Sequence, residues 1–129
     1  MSELAADQPC PCGRGVSYGE CCGPLHAGEP APTAERLMRS RYSAFALGND
    51  DYLLRSWHPS TRPNDFETDP EIRWQRLIIE STEAGGPFDD AGRVTFTAIA
   101  RSPEGRIEQY ERSRFVRENG HWFYLDELD

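Results

Sequence analysis

The apolar positions of this chain change their spacing midway, and the change divides helices from strands. Between Thr33 and Leu47, Leu37, Met38, Tyr42 and Phe45 recur at helical spacing, with Thr33 as a capping hydroxyl and Gly48 as a stop, which predicts a helix. Asn49 caps a second helix, with Asp50 and Asp51 at its positive end and Tyr52, Leu53 and Trp57 as its apolar positions, until His58-Pro59 ends it. Residues 59–70 hold three prolines and few apolar side chains and read as a loop. Beyond Trp74 the pattern becomes that of strands, predicted over 74–84, 93–101, 106–117 and 121–126.

Two turns set the register of those strands. Asn119-Gly120 is a two-residue hairpin signal, and Ser102-Pro103-Glu104-Gly105 is a four-residue turn. Counting outward from the first places Glu118 opposite His121, Arg117 opposite Trp122, Phe115 opposite Tyr124 and Ser113 opposite Asp126. The second pairs Ala100 with Ile107, Ala98 with Gln109, Phe96 with Glu111 and Val94 with Ser113. One face then carries Val94, Phe96, Ala98, Ala100, Ile107, Phe115, Trp122 and Tyr124, and the other Thr95, Thr97, Arg112 and Arg114. The first is the buried face, since the reverse would force two arginines into the core. The predicted class is α+β: two helices on a four-stranded antiparallel sheet, over residues 33–129.

That register puts three polar residues, Gln109, Glu111 and Ser113, in a row on the buried face. Arg41 flanks the helix stripe, and Tyr42, Trp57 and His58 are placed at the mouth of the same region. Two readings follow. In one, these seven residues line a ligand pocket with Glu111 as general base or acceptor, helped by His58. In the other, Arg41 and Glu111 form a satisfied ion pair, with Gln109 and Ser113 bonded to backbone. Arg36, Arg112 and Arg114 are placed on solvated faces.

Ahead of the helices, residues 1–8 are polar and acidic and are expected to be disordered. Residues 9–28 hold all four cysteines, Cys10, Cys12, Cys21 and Cys22, and a Pro-rich connection over 29–32 joins them to the first long helix. A disulfide within either close couple would be strained, while cross-pairing of the couples stays open. The N-terminus has neither a basic n-region nor an apolar run, so a reducing, cytoplasmic setting is expected. Reduced thiols in two close pairs suit tetrahedral zinc, and four protein ligands would make it structural. Ser17-Tyr18-Gly19-Glu20 matches a capping box and predicts one helical turn delivering Cys21 and Cys22, ended by Gly23 and Pro24. His26 is a reserve fourth ligand in place of Cys22.

Composition narrows the function classes. With 129 residues the chain supports one core and a small metal-stapled appendage. No run approaches the ~20 apolar residues of a membrane span. A net charge of −8 disfavours nucleic acid, whose binding depends on neutralising phosphates. All fourteen basic residues are arginine, which excludes Schiff-base chemistry and a P-loop lysine.

The segment Cys10-Pro-Cys12-Gly-Arg-Gly followed by Cys21-Cys22 resembles the SEC-C motif, the zinc module at the C-terminus of the SecA translocase and in assorted bacterial proteins. Leu37–Phe45, Trp57-His58-Pro59, Glu111–Arg117 and Trp122-Phe123-Tyr124 resemble the YchJ-like family of uncharacterised bacterial proteins. The loop Val16–Glu20 lacks the basic residues typical of SEC-C modules, Arg14 stands where Ser is usual, and Cys22 where SecA has His. The resemblance implies a nuclear-transport-factor-2-like cone, in which helices close the mouth of a concave sheet and often leave a pocket. The expected function is a non-catalytic, zinc-containing binding or adaptor protein. Its module would contact a protein partner, and its cone a small molecule or partner segment. The alternatives are a small acid/base enzyme using Glu111 and His58, and a ribosome- or RNA-associated factor, which the charge disfavours.

Overall fold

The computed structural model describes residues 4–128. A 3-10 turn (Tyr18–Glu20) precedes three helices, α1 (Cys22–His26), α2 (Ala34–Leu47) and α3 (Asp50–Arg55). Four strands follow, β1 (Arg73–Ala84), β2 (Ala91–Ser102), β3 (Gly105–Glu118) and β4 (His121–Leu128), paired antiparallel in the order β1-β2-β3-β4 as an open sheet. The class is α+β. Both long-helix caps form as their sequence signals indicate. Thr33 Oγ1 accepts from Arg36 N at 3.1 Å, Asn49 Oδ1 accepts from Tyr52 N at 3.1 Å, and Gly48 closes α2 in the left-handed region at φ 71°. No helix among the described residues is long and apolar enough to cross a membrane.

The β2–β3 register is the predicted one throughout, including Phe96 opposite Glu111 and Val94 opposite Ser113. The β3–β4 register holds from the Asn119-Gly120 turn to Phe115 opposite Tyr124, then slips by one residue. Ser113 therefore faces Glu127, and the expected Asp126 partner belongs to Arg114. Unslipped, Arg114 would face Leu125. The bulge instead gives it a two-pronged bond to Asp126, at 2.7 and 2.6 Å, on the face away from the helices.

The second helix also ends earlier than predicted. After Arg55 the chain lays itself along β4: Tyr124 N donates to Ser56 O and His58 N to Tyr124 O, both at 2.8 Å. Backbone groups that would have extended the helix are spent on the sheet, so Trp57 lies outside α3.

The core joins Leu37, Met38 and Tyr42 of α2 and Leu53 of α3 to Val94, Phe96, Ala98, Phe115 and Trp122 of the sheet. The start of α2 touches the β1–β2 connection directly. Ala34 N donates to Gly85 O at 2.9 Å, and a Cβ on Gly85, already at φ 77°, would come within 2.8 Å of the Ala34 Cβ. Strand β1 carries two bulges, between Trp74 and Arg76 and between Ile79 and Ser81. At the other end, residues 1–3 of the stretch expected to be disordered lie outside the described residues. Its remainder is tied to the cysteine segment, since Tyr18 N donates to Gln8 O at 2.8 Å and Gly19 N to Ala6 O at 2.9 Å.

Candidate functional sites: a cysteine cluster and an aromatic cavity

The cysteine segment is built from tight backbone turns. Gly13 and Gly15 take positive φ, 78° and 93°, and fold the chain back so that Cys10 N donates to Val16 O at 3.1 Å. Ser17 makes no side-chain capping bond, so the capping box does not form. Gly23 and Pro24 do not end the helix there but lie in the first turn of α1, where the missing Pro24 N–H has no helical acceptor to forgo. Cys21 thus sits at the joint between two short turns, and Cys22 opens the second.

The four sulfurs lie within 4.8 Å of one another, every one buried, with Cys12 and Cys21 Sγ 3.5 Å apart and Cys21 and Cys22 Sγ 3.8 Å apart. All four cysteines are free thiols. A tetrahedral ion with metal–sulfur bonds of ~2.3 Å needs sulfurs ~3.8 Å apart, so the cluster can hold a metal ion. Without one, the thiols compete for charge. Cys12 and Cys22, each donating to Cys10, hold it far below the usual thiol range, while their own bonds to Cys10 push Cys12 up to about 11 and Cys22 higher still.

Helix α2 supplies the surroundings of this cluster. Ser43, fully buried, donates to Cys22 Sγ at 3.3 Å and lies 3.5 Å from Cys10 Sγ. Arg36 is not on a solvated face: its Nη2 donates to Cys21 O at 3.2 Å, and Arg39 Nη1 donates to Cys12 O at 3.1 Å. Arg14 Nε donates to Cys21 Sγ at 3.4 Å. His26 is turned away from the sulfurs. Its Nε2 lies 2.9 Å from Ser40 O, which can only accept, so Nδ1 accepts from Tyr18 Oη at 2.7 Å. With both ring nitrogens engaged, His26 locks the module to α2, and Cys22 completes the set of four. Burial pushes the His26 pKa down.

On the opposite side of α2 a cavity of about 210 Å³ separates the helix from the sheet. Its walls are Met38, Arg41, Tyr42 and Phe45 of α2, Trp57, Phe66 of the long loop, Trp74, Phe96, Ala98, Gln109, Glu111 and Tyr124. Five of the seven sequence candidates therefore meet here. Ser113 is buried just behind, donating to Glu111 Oε2 at 2.6 Å. His58 is elsewhere: its Nε2 lies 2.9 Å from Glu118 Oε2 and its Nδ1 2.7 Å from Ser60 Oγ. Because Trp57 forms a parallel bridge with Tyr124 of β4, the side chains of Trp57 and His58 point to opposite sides, Trp57 inward and His58 outward.

The expected Arg41–Glu111 ion pair does not form. Glu111, half-buried, accepts from Gln109 Nε2 at 2.9 Å as well as from Ser113. Arg41, 4% exposed, reaches the C-terminal end of α3, where its Nη1 donates to Leu53 O at 2.8 Å and Ser56 Oγ at 2.7 Å. Its guanidinium lies over the rings of Tyr124 and Trp57, 4.6 and 5.2 Å from their centroids. Carbonyl groups at a helix end and two aromatic faces take the place of a carboxylate. Burial lowers the Arg41 pKa to about 10.

Residues 33–127 match the family model described as YchJ, middle NTF2-like domain, and residues 8–24 match the SEC-C motif. The chain belongs to the YchJ-like family. It is 50% identical over 129 residues to a UPF0225 protein of Xanthomonas campestris, covering 98% of each chain. It is 53% identical over 119 residues to one of Streptomyces coelicolor, covering 92% of this chain and 93% of that one. Among solved structures it resembles a SEC-C motif containing protein from Rhodopseudomonas palustris, with a TM-score of 0.80 and 32% identity. That match covers 92% of this chain and 96% of the other. A SEC-C motif containing protein from Psychrobacter arcticus matches with a TM-score of 0.78 and 28% identity, covering 96% and 84%.

Within this YchJ-like chain, the sequence reading did not single out Ser43, Arg39 or Phe66. Ser40 and Ser43 are small polar residues three apart on α2, a spacing that marks a second close-packed helix face. Phe66 is the lone aromatic residue in an otherwise polar, Pro-rich loop, a pattern suited to a plug. Arg39 carried no such signal.

Proposed function

We propose that this YchJ-like protein is a non-catalytic binding protein: a zinc-held cysteine module braces α2 from one side, and the space on its other side holds a small molecule. The supporting observation is the aromatic cavity of about 210 Å³, larger than the ~150 Å³ that suffices to hold a benzene molecule. The acid/base alternative loses its pairing, because the histidine meant to assist Glu111 is bonded to Glu118 on the outer side. Zinc is the ion that best suits four thiolates at tetrahedral spacing, in a structural role and in a compartment that keeps thiols reduced. Arg14 of the module and Arg36 and Arg39 of α2 donate to sulfur and carbonyl groups of the cysteine segment, which favours bracing over docking to RNA.

Fragment screening by amide-resolved NMR tests this reading. Binders should shift the indole resonances of Trp57 and Trp74 and the amides of Phe96 and Ala98. Fragments that perturb only the outer sheet face, or none that bind at millimolar concentration, would overturn it. Metal analysis of protein prepared without chelator should find one zinc per chain.

A further inference from the structure

The cavity contains two charged groups, and they stand in unequal circumstances. Glu111 is half-buried, accepts two hydrogen bonds from its own strand and keeps access to water. Its charge needs nothing more. Arg41 is withdrawn from water, and no carboxylate of the described residues lies within ion-pair distance of it. The bonds from its Nη1 go to neutral oxygens, the ring faces of Tyr124 and Trp57 lie beside it, and Glu111 acts on it only at longer range, without an ion pair.

A guanidinium is a planar fork of five donors, of which a carbonyl and a hydroxyl satisfy one nitrogen. Neutral acceptors and aromatic faces offset only part of the loss of hydration, and burial accordingly lowers its pKa. The cavity wall thus presents a largely buried cation to a space lined by Tyr42, Phe45, Phe66, Trp74 and Phe96, with Gln109 and Glu111 as its other polar walls. A guest gains most here if it brings a counter-charge to Arg41 and a flat apolar body to the rings.

We infer that the cavity binds small aromatic monocarboxylates, the carboxylate seated on Arg41 and the ring packed among the aromatic walls. This rests on the cavity being a ligand site at all, as proposed above. A cationic guest has less to gain, because the accessible carboxylate, Glu111, is already bonded and hydrated. The cavity volume limits the guest to about one or two rings, given that ~150 Å³ accommodates benzene.

The test compares three single-ring probes of opposite or no charge on the full-length, metal-loaded protein: benzoate, benzamide and benzylamine, titrated by NMR at the Trp57 and Trp74 indoles. Benzoate should bind about tenfold or more tightly than benzamide, the margin of one charge-assisted contact, and benzylamine most weakly. Arg41→Met should bring benzoate and benzamide to equal affinity. Equal affinities for benzoate and benzamide in the natural protein, or a preference for benzylamine, would overturn the inference while leaving the cavity a ligand site. No shift at either indole with any probe, together with a failed fragment screen, would remove both. Should Arg41→Met not fold, the benzoate-to-benzamide ratio on the natural protein decides the question alone.

Discussion

Helix α2 has two working faces, and they are finished differently. Toward the cysteines, Ser43 and the arginines at positions 14, 36 and 39 each reach a sulfur or carbonyl, and the four sulfurs are spaced for one ion. Toward the sheet, the helix leaves a space, and the cation beside it is only partly satisfied. On the cysteine side Arg36 Nε is left without a partner, yet the other bonds there tie α2 to the sulfurs and their carbonyls and hold structure, whereas a cation beside a cavity is a reason to look for a guest. On the function proposed above, one helix separates a brace from a receptor.

On the proposed reading of the cysteine cluster as a zinc site, the largest expected effect comes from removing that metal. The cysteines belong to the same buried cluster as Leu37, Met38 and Tyr42, so the module is not an independent appendage. Structural zinc contributes ~10 to 16 kcal/mol in isolated modules, comparable with the 5–15 kcal/mol stability typical of a whole domain. Chelation, or Cys12→Ser, should therefore lower the melting temperature by more than about 10 °C, with α2 amides losing hydrogen-exchange protection together with residues 9–28. Retained protection in α2 would show that the two faces are not coupled.

Next in size is Arg41. Truncation to Ala removes the apolar stem and opens space between α2, Trp57 and Tyr124, and should cost about 2 to 4 kcal/mol in urea unfolding. Arg41→Met keeps the apolar stem while deleting a buried charge, and should come within about 1 kcal/mol of the natural protein. Similar losses for both would assign Arg41 to structure and blur the contrast between the faces.

A smaller effect belongs to His26, which fastens the module. Its pKa is depressed in the folded protein, while the unfolded chain takes up a proton near ~6.5. The unfolded state binds more protons in that window, so this contribution is complete above about pH 6.5 and is lost as pH falls toward the lowered folded value. Urea midpoints should drop between pH 7.5 and 5.5, and His26→Gln should flatten the dependence. The smallest effect is expected at Glu111. Glu111→Gln should change stability by less than about 1 kcal/mol, since the group is half-exposed and forms no ion pair with Arg41. A loss of several kcal/mol would revive the buried pair.

Much of the scaffold is legible in the chain because local signals and alternation agree there. The β2–β3 register follows from one turn and a two-residue period, so Gln109 and Glu111 are found beside the cavity without a structure. What escapes is decided by competition between distant groups. Arg114 drew Asp126 opposite itself through a bulge, and β4 captured the backbone of Ser56 and His58, which turned His58 outward. Arg41 was placed correctly on its helix face, but its choice of Leu53 O and Ser56 Oγ over a carboxylate depends on where α3 stops. His26 likewise looked like a spare ligand because Tyr18 and Ser40 are brought to it only by folding.

The two bulges of β1 bear on how this molecule behaves in company. β1 is an edge strand of an open sheet, and such an edge invites a neighbour's strand to continue the ladder. Between the irregularities at Trp74/Arg76 and Ile79/Ser81 only the four residues Arg76–Ile79 run in regular register with β2. An arriving chain would find its hydrogen-bonding partners out of step after a few residues, with charged Arg76 and Glu80 along the way. Crowded solutions, where collisions between edges are frequent, are the setting in which this interruption guards against fibrous growth.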